Sequence, residues 1–227
     1  MKIGIIIAMD KEFQRIREIL TDTCELTEHG KQFTTGKIGH HNIIMMTCGI
    51  GKVNAAIGTV EMIDLFHPEI IISSGVAGGA STELNVQEVV VSTQTCYHDV
   101  YCGSEMEKGQ IMGMPARFES SRQLLERAMK LDCGTKINSG LIVTGDWFVD
   151  SKEKMRGILD DFPEAMAVDM ESAAIAQVCW QYAVPFISFR IISDIPLKDD
   201  KAQMYFDFWE KMAESSFHVT EAFLKSI

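Results

Sequence analysis

The run "IGIIIA" at residues 3–8 limits this chain more than any other stretch. It is apolar without a break, so both faces of whatever it forms must be buried. A strand covered on both sides has that signature, because apolar and polar residues need to alternate only where one face meets water. "DKEFQRIREIL" follows, with Phe13, Ile16, Ile19 and Leu20 at helical spacing. The pattern then repeats. "HNIIMMTCG", "EIIISSGVAGG", "EVVVSTQT", "KINSGLIVTGD" and "VPFISFRIISD" read as strands, the second running into a glycine turn. "VNAAIGTVEMIDLF", "SKEKMRGILDDF" and the closing "QMYFDFWEKMAESSFHVTEAFLKSI" read as helices. Strands alternating with helices predict an α/β layer protein with a parallel or mixed sheet covered on both faces. In such folds ligands sit beyond the strand ends. The polar residues that close the strands are therefore the candidates for function.

No repeat, low-complexity segment or linker divides the 227 residues, and residues 1–227 are expected to form one domain. The formal net charge of −11 argues against nucleic acid and against an anionic membrane surface, since both need clustered Lys and Arg. The six cysteines, at 24, 48, 96, 102, 133 and 179, contain no C-x-x-C pair. They read as reduced thiols of a cytoplasmic protein, and no ligand cluster for zinc accompanies them. The opening "MKIGIIIAMDKEF" has only a short apolar run ending in acids, unlike a secretion signal. No run of about 18 apolar residues exists to cross a membrane as a helix.

Several polar residues stand at predicted strand ends. Glu12 follows the first strand; it suits a solvated acid in a first helical turn, where the helix dipole favours it, or an acid aimed at a ligand. The glycines of "SSGVAGG", Ser73–Gly79, let backbone approach a ligand, although the spacing matches neither a phosphate loop nor a dinucleotide fingerprint and a plain turn stays open. In "AVDMESAAIAQVC" a helix starting near Asp169 would have Asp169 as its N-cap and Glu171 in its first turn. Glu171 would then share a face with Ala174, Ile175, Val178 and Tyr182. A carboxylate on such a face needs a partner or takes up a proton, so it is expected to meet a polar ligand group. Asp194 closes "RIISD", either as a turn residue before Pro196 or as a functional acid. Arg190 lies on the same strand face as Ile192 and Asp194, placed to bind Glu12, Glu171 or a ligand oxygen. "YHD" at Tyr97–Asp99 and the pair His40–His41 lack a third metal ligand and read as structural or pocket-wall residues.

The order of these signals says more than any one of them. "GIIIAMDKE", "GIGKVNAA", "SGVAGG", "YHD", "GQIMGMP", "GLIVTGDWFV", "AVDMESAAIAQVC" and "VPFISFRIISD" follow one another from residue 4 to residue 194. Together they closely resemble the bacterial 5′-methylthioadenosine/S-adenosylhomocysteine nucleosidases, within the nucleoside phosphorylase superfamily. The resemblance implies an α/β, three-layer nucleoside phosphorylase-like fold with a central mixed β-sheet flanked by helices. It implies a homodimer, a small-molecule nucleoside substrate, and no metal or organic cofactor. The "GDPxR" phosphate-binding pattern of bacterial purine phosphorylases is absent, and "AMDKE" stands in its place.

Carried onto this sequence, the resemblance makes Glu12 the carboxylate that activates water and Asp194 the acid that protonates adenine N7. Glu171, beside Met170, would hold the ribose hydroxyls. Phe148 and Val149 would stack on adenine and recognise its edge through backbone bonds. Arg190 and Ser193 would support the water and the acid, while Met9, Val76, Ala77 and Gly78 would line the pocket. Phe206 would close over the ribose and the 5′ group. The chemistry agrees with these roles, because breaking an N-glycosidic bond develops an oxocarbenium-like ribosyl cation and a purine anion, and paired carboxyl groups serve such transition states. Asp194 would have to stay neutral against an ordinary carboxyl pKa of about 3.9, which takes about 4 kcal/mol of differential environment. Glu12 would have to be ionised to accept a water proton, and Glu171, at a helix start, is expected to be anionic. Three features depart from the family pattern: Val76 replaces the usual Ser, Trp147 replaces a small residue, and the segment around "VYCGSEMEKGQ" is shortened. A phosphorylase of the same fold and a nucleoside-binding protein without turnover are the competing readings.

Overall fold

The computed structural model describes residues 1–8, 10–198, 208 and 218–227, with residues 10–12 and 15 described for their backbone only. In chain order the elements are β1 (Lys2–Ile7), α1 (Asp10–Arg17), β2 (Thr21–Glu28), β3 (Lys31–Ile38), β4 (His41–Thr47), α2 (Lys52–Phe66), β5 (Ile70–Gly79) and β6 (Val89–Tyr97). There follow β7 (Phe118–Glu119), α3 (Arg122–Ala128), β8 (Ile137–Thr144), α4 (Lys152–Asp161), β9 (Ala165–Asp169), α5 (Ser172–Gln181), β10 (Phe186–Asp194) and α6 (His218–Ser226). The expected closing helix is seen as α6, and the part of it between residues 203 and 217 lies outside the described residues apart from Phe208.

The opening isoleucine run is buried on both sides, as its composition demands. Ile3, Ile5 and Ile7 pack with Ile16 and Leu20 and with Leu124, Val219 and Phe223, from the side of α1, α3 and α6. Ile6 packs the other way, among residues of α2 and α5 such as Met62 and Ile175. β1 pairs in parallel with β4 and with β5, so helices cover both faces of a mixed sheet.

The sheet does not stay open. β5 pairs with β10, β10 with β6, β6 with β8, β8 with β9, and β9 returns to β5. These five strands close a ring, and β1, β4, β3 and β2 extend from it as a wing. Ala77, Val90, Ile142, Ala167 and Ile192, one from each strand of the ring, pack together and fill it.

The closure creates the site. Along one edge of β5, β1 pairs as far as Ser74, opposite Ile7. β9 begins on that edge only at Gly78, opposite Val168. Between those points the two strands diverge, and the ends of β1, β5, β8, β9 and β10 gather around the opening. The predicted glycine turn is accordingly a strand: β5 runs straight through Gly75, Gly78 and Gly79, paired to β10 on its other edge. At Gly79 a Cβ would lie 3.2 Å from both Ile192 and Ile195, which explains a bare backbone there.

A second correction concerns Asp169. The expected helix start is the end of β9, whose small apolar residues pair with β8 and β5, and α5 begins at Ser172 with Glu171 as N-cap. Asp169 still caps through its side chain, accepting the Ser172 N–H at 3.2 Å.

Candidate active site

One cleft enclosing about 720 Å³ of empty space, open mouth included, lies where the strands diverge. Its position beyond the ends of the strands is where α/β folds place ligands. All ten predicted site residues whose side chains are described border it. Val76, Ala77 and Gly78 come from β5, and Phe148 and Val149 follow β8. Met170 and Glu171 follow β9, and Arg190, Ser193 and Asp194 come from β10. Met9, Phe206 and the side chain of Glu12 lie outside the described residues; Glu12 sits on α1, and Ala8, beside Met9, borders the cleft.

At one end Asp194 is buried, and the Ser193 hydroxyl reaches its Oδ1 at 2.7 Å and the Ala77 carbonyl at 3.3 Å. The hydroxyl therefore has two acceptors. It can donate to an ionised Asp194, or turn to Ala77 when Asp194 holds the proton.

At the other end Glu171 is 7% exposed and accepts the Gly51 N–H on Oε1 at 3.0 Å. Gly51 has φ 94°, and a Cβ there would stand 3.0 Å from Asp146 Oδ1, so the position requires glycine. Burial and then the charge of Asp169 push the Glu171 carboxyl up to about 7, against the opposing pull of Arg190 and of the Gly51 and Met170 N–H groups. Removal from water and a second acid nearby thus outweigh the helix start, which makes Glu171 a weaker acid than its first-turn position suggests.

Arg190 was expected to meet Glu12, Glu171 or a ligand. It borders the cleft together with Glu171; its Nε donates to Asp169 Oδ2 at 2.6 Å, and a terminal nitrogen donates to Ser73 Oγ at 2.8 Å. The other Asp169 oxygen accepts the Thr144 hydroxyl at 2.5 Å. Arg190 is 2% exposed, so a fully buried ion pair ties β10 to β9, β8 and β5 directly under the cleft.

Sequence reasoning missed Ser74, Gly75, Val168 and Asp169 as cleft residues. Two acids so close in an apolar run was the available signal for Asp169, since one of them needs an internal cation. Trp147, noted for its bulk, borders the cleft with its ring 5.3 Å from that of His98. His40 and His41 do not border it; His41 Nε2 lies 2.7 Å from the Ile227 carbonyl and the two rings pack together. No group of three or more metal-ligating side chains occurs among the described residues.

The chain matches the model of the Phosphorylase superfamily over residues 2–225. It is 40% identical over 223 residues to the 5′-methylthioadenosine/S-adenosylhomocysteine nucleosidase of Desulfotalea psychrophila, spanning 96% of this chain and 95% of that protein. The solved nucleosidase of the same name from S. pneumoniae, with the transition-state inhibitor MT-ImmA, matches with a TM-score of 0.93 at 33% identity, covering 100% of this chain and 99% of that one. The futalosine hydrolase of Helicobacter pylori matches with a TM-score of 0.92 at 31% identity, covering 100% and 98%.

Proposed function

We infer how the cleft works from the premise that the chain belongs to the phosphorylase superfamily and, within it, to the 5′-methylthioadenosine/S-adenosylhomocysteine nucleosidases. It is a hydrolase that cleaves the N-glycosidic bond of 5′-modified adenosines, 5′-methylthioadenosine and S-adenosylhomocysteine, to adenine and the 5′-thioribose. The observation that carries this reading is the meeting of two buried carboxyls, Glu171 and Asp194, in one cleft.

In our reading Asp194 gives a proton to adenine N7, so that the base departs neutral instead of as an anion. Ser193 then donates to the carboxylate left behind, its 2.7 Å approach supporting that role. Glu171, ionised, accepts the ribose hydroxyls and sets negative charge beside the ribosyl cation. Glu12 takes a proton from the attacking water. Phe148 and Val149 receive the base; Phe148 is half-exposed at the mouth and Val149 is buried, which suits a stacking ring and a fixed backbone edge. Met9 is assigned a lining role and Phe206 the role of closing over the ribose and the 5′ group, both from the family resemblance. No cofactor enters this scheme.

Purified protein given 5′-methylthioadenosine in phosphate-free buffer is expected to release adenine and a free thioribose. Turnover that needs phosphate and yields a ribose 1-phosphate would make it a phosphorylase. The likeness to a futalosine hydrolase favours a second reading, another 5′ preference in the same cleft. Val76 and Trp147, both on the cleft wall, depart from the family pattern and support it. A panel varying only the 5′ group, futalosine included, separates the two by kcat/KM.

We also propose one domain over residues 1–227, a cytoplasmic location and a role in methionine salvage. Six free cysteines support the location, and among the described residues no helix is long and apolar enough to cross a membrane. A homodimer is supported by three exposed apolar residues, Ile50 on the cleft wall and Val53 and Ile57 on the first turns of α2.

A further inference from the structure

We propose that Lys52, Asp99 and Asp146, none of which borders the cleft, form a positioning clamp that holds its two walls in register. It rests on the nucleosidase reading, since the walls it joins are the ribose side at Glu171 and the base side at Trp147–Val149.

The Lys52 ammonium donates to both oxygens of Asp99, at 2.8 and 2.7 Å. Asp99 Oδ2 also accepts the Asp146 N–H at 2.9 Å. Asp146 Oδ1 in turn accepts the Lys52 N–H at 2.8 Å. Lys52 is thus gripped at its backbone and at its tip by two acids that are themselves linked. A solvated surface pair contributes little and is loosely placed. This one differs, because the Asp99 side chain is only 8% exposed and three bonds fix it.

Both ends of the clamp lie one residue from a cleft wall. Gly51, before Lys52, donates its N–H to Glu171. Trp147, after Asp146, starts the base-side loop. The root of that loop is also fixed by shape. A Cβ on Gly145 would lie 2.4 Å from the His98 ring, and neither nitrogen of that buried ring has a hydrogen-bond partner among the described residues. A shift of Lys52 therefore moves the Gly51 N–H relative to Glu171 and the loop relative to both.

The Gly51 N–H favours the ionised form of Glu171. The other groups acting on Glu171 are Asp169 on β9, Arg190 on β10 and the Cys48 thiol after β4, and Asp194 borders the same cleft. Loosening the clamp leaves those in place and removes the N–H, so Glu171 keeps its proton to higher pH.

The test compares Lys52→Met and Asp99→Asn with wild type, using 5′-methylthioadenosine from pH 5 to 9. The clamp predicts a KM raised between about 10- and 100-fold, as the loss of a hydrogen bond to a charged group costs, with kcat within about threefold. The acid limb of kcat/KM moves to higher pH, and Lys52→Arg, which still spans two carboxylates, recovers most of the KM. KM and acid limb equal to wild type, with only the melting temperature lowered, would overturn the proposal, as would a loss confined to kcat. If Lys52→Met does not fold, Asp99→Asn alone decides. If wild type itself releases no adenine, the nucleosidase reading fails separately. The clamp is then scored by calorimetric affinity for adenosine, where unchanged binding in both variants overturns it.

Discussion

Glu171 poses a residue-scale question, a carboxyl among small apolar side chains, and its surroundings answer it. Burial and Asp169 raise its pKa from an ordinary 4.5 to about 7, so the folded chain holds a proton that the unfolded chain has released. Below about pH 4.5 both states are protonated and the group is neutral to stability. Between 4.5 and 7 the native state binds more proton than the unfolded one, and stability falls as pH rises, by up to about 3 kcal/mol. Glu171→Gln keeps an oxygen for the Gly51 N–H and removes the titration. Urea unfolding at pH 5 and pH 8 is expected to show that part of the loss in wild type and not in the variant, while the variant binds nucleoside more weakly because it lacks the anionic acceptor. An identical pH slope in both proteins would contradict the assignment. A buried acid held near its titration point on a cleft wall is costly to the fold and useful to a ligand, which is why a structural role alone explains it poorly.

Elements set what the sequence can reveal. Strands with burial on both faces were legible, because an uninterrupted β-branched run such as that of β1 has few other uses. β2 was not legible: it is exposed along its whole length at the sheet edge, so no apolar pattern marks it. β9 hid inside a small-residue stretch that suits a helix as well as a strand, and only pairing with β8 and β5 decides. Glu171, just after β9, and Asp194, at the end of β10, were legible as candidates, and both border the cleft. The pairing of Arg190 with Asp169 was not, because it depends on ring closure between strands distant in sequence. That pair also makes a prediction. Arg190→Met leaves Asp169 charged and buried with only hydroxyl and N–H donors, a change that costs about 3–5 kcal/mol when one partner of a buried pair is removed. The urea midpoint measures it; a loss below about 1 kcal/mol would show that the charge is satisfied without the guanidinium.

At the scale of the whole molecule, a closed ring of strands carries a wing, and the cleft sits where the wing departs. Ile50 on the cleft wall is followed in α2 by exposed apolar residues, among them Val53, 68% exposed. If two copies meet there, Val53→Glu should split the dimer in sedimentation and raise KM, because the mouth loses its cover. A variant that sediments as wild type would remove α2 from the interface. The central claim concerns the acid at Asp194, and one variant tests it most directly. Asp194→Asn, assayed for adenine release from 5′-methylthioadenosine alongside calorimetric binding, should bind the nucleoside and show essentially no turnover. A rate above about a tenth of wild type, a loss under 1.4 kcal/mol in the barrier, would contradict the claim that this side chain delivers the proton to the departing base.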